Sequence, residues 1–353
     1  MTQKTLVTLA AAAAVLAGAA YISNSSKKVK APSLVGKPVL KAFDLSEVAK
    51  IEAGAKDAGK LTLASTDAGW VISSLHGYPA DIVKIRANLL KLQDLKAGHV
   101  ASGKKLDNPV LVDLQNASGK PLATLRLGDK HMRQATGEMA QFGGGAYPDG
   151  RYVSGEGSDT VVLVKDSLDA FDGDPKNWAD TQIASVPADG VTVIELTRDG
   201  KTAKLEKKGG VWGIGDLGAN EEFASTKTYS VESVLSYLNF TSIVDPALTD
   251  EQLGMAPGAT LKLTLQNGES YTAKIGNAPE GSADRYFKIS AAFTPVGTND
   301  IENAAAQQKV DAFNAKSGKW TYTVPSYNAD NMLKTRADFV TAKEEPKKES
   351  EEQ

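Results

Sequence analysis

Histidines and acidic residues are the side chains of this chain that could bind a metal or transfer protons. The sequence has three histidines, His76, His99 and His131, and no two are three or four residues apart, as a metal pair on one helix face requires. No G-x-S-x-G segment offers a nucleophilic serine. We therefore predict no metal site, no catalytic residue and no cofactor.

Two glycine-containing segments approach the phosphate-binding loop of nucleotide hydrolases. They read GAKDAGK over 54–60 and GHVASGK over 98–104. A phosphate loop needs Ser or Thr after its lysine to hold magnesium, and a helix directly after that. Leu61 and Lys105 occupy those positions, and Leu61 begins a predicted strand. Both segments are therefore predicted to be turns.

An acidic stretch, DSLDAFDGDP over 166–175, suggests calcium because that ion prefers several carboxylate oxygens from one loop. The spacing does not match an EF-hand, since Asn177 stands at the twelfth position counted from Asp166. Leu168 and Phe171 favour a short amphipathic helix and a turn leading into Trp178. We favour this second interpretation and keep calcium as the alternative.

The segment FGGGAYPDGRY, 142–152, combines three consecutive glycines with Phe142, Tyr147 and Tyr152. Exposed aromatic rings offer a large contact area at modest entropic cost, so such a loop suits stacking on sugars or docking on a protein. The alternative is a mobile connection without a partner. The three aromatic residues are our candidate contacts for a partner or ligand.

Composition narrows the function further. The chain has 353 residues, which suggests about two domains. Lys and Arg number 40 against 43 Asp and Glu, so there is no basic excess to attract nucleic acid. The absence of cysteine excludes disulfides, thiol nucleophiles, thiolate metal sites and a lipidated cysteine.

Both ends of the chain differ from its interior. Residues 1–26 carry an uncharged apolar run, Leu6 to Ile22, which predicts a signal peptide or an N-terminal membrane anchor. Ala17 and Ala19 fit a cleavage site, but we favour a retained anchor and a periplasmic protein held at the inner membrane. Residues 329–353 are predicted to form a short helix and a disordered charged tail.

An internal duplication organises the rest. Residues 48–72 match 191–214, with Trp70 opposite Trp212, and both segments alternate apolar and polar residues between glycine turns such as Asp199–Gly200. A helix follows each segment, marked by Ile82, Ile85, Leu89 and Leu92 in the first copy and by Val231, Val234, Leu235 and Leu238 in the second. Residues 110–128 and 260–276 then form matching hairpins. The predicted fold is α+β, with two tandem units, 27–182 and 183–328, each a largely antiparallel sheet with one packed helix.

The order of these segments, the apolar N-terminus and the linking sequence DGDPKNWADTQIASVPADGVTVIEL together resemble the bacterial domain-of-unknown-function 4340 family over most of positions 40–290. The chain departs from the family pattern where KKLDNPV, 104–110, replaces a Tyr-Gly-Leu sequence. The resemblance implies an exported or membrane-anchored envelope protein, often encoded beside ABC-transporter components of the type associated with gliding motility. It transfers no catalytic residue.

We therefore expect a non-enzymatic cell-envelope protein that acts as a scaffold or accessory subunit of an ABC-type transporter. Its partner would be a membrane complex or an envelope glycan. One alternative is a soluble periplasmic protein that binds glycans or peptides through the aromatic loop. A second is an unrecognised hydrolase, for which no carboxylate pair stands out among the 43 acidic residues.

Overall fold

Two large antiparallel sheets dominate the protein. The computed structural model describes residues 34–55, 60–141 and 144–343, so the predicted anchor and the last ten residues of the tail lie outside it. Every strand pairing in the described residues is antiparallel, and helices are few and short. The prediction of largely antiparallel sheets with a small helical component is confirmed.

The first sheet contains nine strands in the order β4-β3-β2-β1-β6-β7-β8-β9-β5. These strands are β1 (Lys50–Gly54), β2 (Leu61–Thr66), β3 (Gly69–Ile72), β4 (Tyr78–Pro79), β5 (His99–Val100), β6 (Val110–Gln115), β7 (Pro121–Gln134), β8 (Ala146–Gly155) and β9 (Val162–Val164). Successive residues of β6 face opposite sides of the sheet, because Val112 and Leu114 are buried while Leu111, just before them, is exposed.

The second sheet contains eight strands in the order β13-β12-β11-β17-β18-β19-β20-β16, and two small sheets pair β10 with β15 and β14 with β21. The bounds are β10 (Gln182–Ala184), β11 (Val191–Arg198), β12 (Lys201–Lys208), β13 (Val211–Ile214), β14 (Glu221–Phe223), β15 (Leu238–Asn239), β16 (Ser242–Ile243), β17 (Ala259–Leu265), β18 (Glu269–Ile275), β19 (Arg285–Phe293), β20 (Tyr322–Val324) and β21 (Val340–Ala342). Asp199 and Gly200 both have positive φ, 51° and 75°, which confirms the tight turn predicted between β11 and β12.

Helix α1 (Ile82–Gln93) packs on the first sheet as predicted. The Asp81 carboxylate caps it by accepting hydrogen bonds from the Val83 and Lys84 amides. Ile85, Leu89 and Leu92 are buried in the main core, whereas Ile82, expected on the same face, is 53% exposed. Helix α2 (Glu138–Gln141) is a single turn between β7 and β8.

The helix predicted in the second unit is much shorter than expected. Helix α3 (Tyr229–Glu232) ends after four residues, and its next amides form i to i−3 hydrogen bonds such as Val234 to Val231. Leu238, expected in the last turn of that helix, instead lies in β15. The longest helix of the second half, α4 (Asp300–Phe313), follows β19, and α5 (Ser326–Met332) follows β20.

The two halves share one continuous core. The Tyr78 ring of the first sheet lies 5.2 Å from Phe240 and 5.0 Å from Trp320, measured between ring centroids. Burial, followed by the nearby Asp180 carboxylate, raises the pKa of Tyr78 to about 12. The Lys84 ammonium donates to the Ala179 carbonyl at 2.6 Å, so α1 is also tied to the segment that joins the halves.

The last strand of the described residues, β21, pairs with β14 in the second half. The Arg336 guanidinium donates to both carboxylate oxygens of Glu221 and to Asp216. The short helix predicted within residues 329–353 begins earlier, at Ser326, and strand β21 follows it. Lys343, assigned to the disordered tail, instead donates its amide to the Asn220 carbonyl at 3.0 Å.

We expect acidification to loosen this C-terminal segment. The Arg336 hydrogen bonds, with that of the Gly218 amide, lower the pKa of Glu221 from 4.5 to about 2. Because the folded pKa lies below the unfolded one, the stabilisation is complete above about pH 4.5 and is lost as the pH falls towards 2. Hydrogen exchange of residues 334–343, corrected for intrinsic rates, should accelerate over that window.

The matched pair of variants is Glu221→Gln and Glu222→Gln. Glu221→Gln should exchange faster in this segment already at pH 7 and change less than the native chain on acidification, since Asp338, whose pKa is lowered by its hydrogen bonds with Thr335, still titrates there. Glu222 makes no side-chain contact with Arg336 in the described residues, so its variant should behave as the native chain. Equal protection of residues 334–343 in the native chain at pH 7 and pH 2 would contradict the stabilising role assigned to Glu221.

Candidate binding surface

Strands β7 and β8 continue beyond their neighbours as a two-stranded hairpin. Strand β6 pairs with β7 only as far as Leu127, and β9 pairs with β8 only over Arg151–Val153. Beyond these points the two strands pair only with each other, from His131 opposite Gly150 to Gln134 opposite Ala146, and the Lys130–Arg151 pair forms the base of this extension. We call residues 130–134 and 146–151 the hairpin arm. Its outer end is exposed on both faces.

The candidate contact residues lie at different places on this hairpin. Tyr147 is on the arm and is 38% exposed, and Met132, on the other strand of the arm, is 51% exposed. Tyr152 is half-buried on the sheet just below the arm. Phe142 lies outside the described residues. The structure thus brings Tyr147 and Tyr152 to one hairpin but not side by side.

A row of contacts connects Tyr152 to the arm. The Lys104 ammonium lies 4.3 Å from the centre of the Tyr152 ring, and the His131 ring meets that ring edge-on at 5.9 Å. His131 Nδ1 and Asp149 Oδ1 are 2.5 Å apart, and Arg133 lies 3.5 Å from the same carboxylate. The hydrogen bond with His131 lowers the pKa of Asp149, so this carboxylate stays ionised.

The base of the arm is fixed by the acidic stretch. The buried Arg151 guanidinium pairs with Asp172 and donates to the Gly128 and Ser167 carbonyls at 2.9 and 3.2 Å. The Lys130 ammonium, across the hairpin, lies 2.7 Å from Asp172 and 2.5 Å from Asp169. These carboxylates bind the protein's own cations, and short helical turns over Asp169–Phe171 and Pro175–Trp178 match the favoured interpretation.

The other sequence candidates have structural positions of their own. His76 ends a short helical turn with a φ of 53°, and His99 lies in β5. The segment 98–104 forms a turn closed by the Lys104 amide and the Ala101 carbonyl at 3.2 Å, as predicted; residues 56–59 of the other segment lie outside the description. In the described part of the chain, no three His, Asp or Glu side chains converge as a metal site would require.

A cleft that sequence reasoning missed lies beside this row. It measures about 790 Å³ and is bordered by the loop 101–109, by strands β7 and β8, and by residues 159–161 just before β9. Lys104 belongs both to the cleft and to the row. The signal in the sequence is the Lys104–Lys105 pair, which lies at the end of the segment that approaches a nucleotide loop.

Comparisons with known proteins give one match. The family model described as a domain of unknown function, DUF4340, matches residues 70–255, which run from β3 into the second sheet. No curated protein and no solved structure gives a significant match. Within the described residues, no helix is long and apolar enough to cross a bilayer.

Proposed function

The chain belongs to the DUF4340 family, and from that premise we propose that it is a non-enzymatic cell-envelope protein that serves as a scaffold or accessory subunit of an ABC-type membrane transporter. Residues 1–26 would hold it at the periplasmic side of the inner membrane. The observation that carries the proposal is the hairpin arm, which presents Tyr147 and Met132 away from the body of the sheet.

The arm has the composition of a protein contact. Tyr147 lies opposite Arg133 on the two strands, and Met132 lies opposite Pro148. Tyrosine, methionine and arginine are enriched in protein interfaces because they combine large contact areas with polar groups. The ion pairs of Lys130 and Arg151 fix the base of the arm, so less entropy is lost when a partner binds.

The carboxyl groups with shifted pKa values suit the ionic positioning of a contact surface. In the described residues, every carboxyl group whose pKa departs from its ordinary value is shifted down, as for Asp149 and Asp169 beside their cationic partners. Such groups act as fixed negative charges that position lysines and arginines.

We also infer that the two sheets descend from one duplicated unit. The two sheets have their strands in the same spatial order. The corresponding strands of the first and second sheets are β1 and β11, β2 and β12, β3 and β13, β6 and β17, β7 and β18, β8 and β19, β9 and β20, and β5 and β16. Leu63 pairs with Ile72 and Leu205 with Ile214, each residue standing 142 positions after its counterpart. Only the first unit carries the arm, so the copies would have separate roles.

The test is affinity purification of the full-length protein from its native membranes, followed by mass spectrometry of the partners and of the mature N-terminus. We expect transporter membrane subunits to co-purify with a chain that retains residues 1–22. The double variant Met132→Ser/Tyr147→Ser should lose them, because both exposed contact groups are removed from the arm. Tyr237→Ser is the matched control, since Tyr237 is 74% exposed and lies in the second half.

Two results would overturn this proposal. Retention of the transporter subunits by the double variant would show that the arm is not the contact. Recovery of the native protein alone, with a new N-terminus near Ala20, would favour the soluble glycan or peptide binder. In that case, loss of glycan binding in Tyr147→Ser would place the ligand on the arm.

A further inference from the structure

The cleft beside Tyr152 is built on the outer face of the first sheet. Arg126 of β7 and Ser154 of β8 are cross-strand partners that point away from the core, whereas their neighbours Leu125 and Val153 are buried in it. The loop 101–109 crosses this outer face. Sheet residues therefore form the floor of the cleft, and the loop forms one wall.

A glycine allows the loop to approach the sheet. A Cβ atom on Gly128 would lie 2.5 Å from Leu106 Cδ2 and 3.3 Å from the Tyr152 carbonyl oxygen. Because this position has no side chain, Leu106 can pack directly over β7. The loop is thus held against the sheet at Leu106 and leaves the cleft open beside Arg126.

The cleft is positively charged although the chain is not. Lys104, Lys105 and Arg126 line it together with one carboxylate, Asp159. The whole chain has a formal net charge of −3, so this concentration of cations is local. Charges of one sign in a concave site focus the electrostatic potential there and attract ligands of the opposite sign.

The cations are only weakly neutralised by the protein. The Arg126 guanidinium donates a hydrogen bond to the neutral Ser158 carbonyl, and its nearest carboxylate, the fully exposed Asp159, is 3.9 Å away. The Lys104 ammonium is 3.9 Å from Asp129, which is also exposed. Exposed pairs at such distances contribute little energy. Arg126 and Lys104 themselves are about one third exposed, so an anion bound between them would be partly shielded from water.

The uncharged residues that line the cleft indicate the chemistry of the rest of the ligand. Leu106 and the buried Val161 supply an apolar wall, and the buried Ser154 supplies a hydroxyl on the floor. A volume of about 790 Å³ falls within the range of small-molecule sites. We propose that this cleft binds a small anionic ligand, with a carboxylate or phosphate group between Lys104 and Arg126 and an apolar body against Leu106 and Val161.

The experiment is calorimetric titration of the full-length protein in low salt with four probes below their aggregation limits: octyl phosphate, octanoate, inorganic phosphate and neutral octyl glucoside. We expect one or both octyl anions to bind, and to bind at least tenfold more tightly than octyl glucoside and inorganic phosphate. The preferred anion identifies the head group. Affinity should fall with rising salt, because the contact is ionic and partly exposed.

The variant Lys104→Gln/Arg126→Gln should weaken binding of the preferred octyl anion at least tenfold. Lys120→Gln/Lys201→Gln, which removes two exposed lysines outside the cleft, is the control of equal charge and should leave the affinity unchanged. Equal binding to the cleft variant and its control would overturn the proposal, as would equal affinity for octyl glucoside or absence of heat with both octyl anions. These results do not depend on the partner of the hairpin arm.

Discussion

Trp178→Ala should lower the free energy of unfolding by about 3–5 kcal/mol, the range for removing a large buried aromatic side chain. Trp178 is fully buried, and its ring meets Phe171 edge-on at 5.2 Å. Its indole nitrogen donates to the Ala170 carbonyl at 2.8 Å, and its own carbonyl accepts from the Asp81 amide at 2.7 Å. The ring therefore fills the space between the start of α1 and the acidic stretch.

Denaturant unfolding followed by circular dichroism would measure this loss. Trp70→Ala is the matched control, because Trp70 is only half-buried on β3 and should cost clearly less. If the two variants lost the same free energy, Trp178 would not have the structural role assigned to it. A loss below about 1 kcal/mol for Trp178→Ala would lead to the same conclusion.

Asp172→Ala is expected to have the second-largest effect. It should lower the free energy of unfolding by about 3 kcal/mol, because it leaves the buried Arg151 guanidinium without its carboxylate. The Arg151 side chain is 6% exposed, so water cannot easily replace the lost partner. Lys130 also loses one of its two carboxylates. We expect both lower stability and faster hydrogen exchange in the hairpin arm.

The control for this prediction is Asp169→Ala. Asp169 also pairs with Lys130, at 2.5 Å, but its side chain is 57% exposed and it does not pair with Arg151. Exposed ion pairs contribute about 0–1 kcal/mol, so this variant should remain close to the native stability. A similar loss in both variants would mean that burial of Arg151 does not decide the energetics.

The sequence was sufficient for the strands because their signals are local. Alternating apolar and polar residues, together with the Asp199–Gly200 turn, predict β11 and β12. This signal is local, because successive side chains of a strand face opposite sides of the sheet. Helix α1 was predictable for the same reason, since its apolar face recurs every three or four residues. The formation of these elements depends little on contacts with distant parts of the chain.

The prediction of a full helix in the second unit was wrong, because contacts with other segments outweigh the apolar periodicity of Val231 to Leu238. Ser233 and Ser236 follow α3, and Ser233 donates its hydroxyl to the Tyr229 carbonyl, a local bond that competes with continuation of a helix. Leu238 then pairs with Ala184 in β15 and β10. Helix α4, in contrast, was missed although the sequence contains its signal: Asn299 caps it, and Asp300 and Glu302 lie in its first turn.

The binding surface was only partly predictable. The aromatic and glycine-rich segment drew attention to Tyr147 and Tyr152 from composition alone. The cleft required knowledge of which distant residues share one face of the sheet, since Lys104, Arg126 and Ser154 come from three separate segments. Spacing along the chain contains no such information, because it depends on register between strands.

The edges of the two large sheets have a consequence for self-association. An edge strand with unpaired backbone groups can act as a template for another chain, and the risk grows with its length. The first sheet ends in β4 and β5, of two residues each, and Pro79 removes one backbone donor from β4; the second ends in β16, of two residues, and β13, of four. Such short ends offer few successive hydrogen bonds, so the free backbone groups at the edges of the first sheet lie mainly on the hairpin arm, whose two strands pair only with each other there.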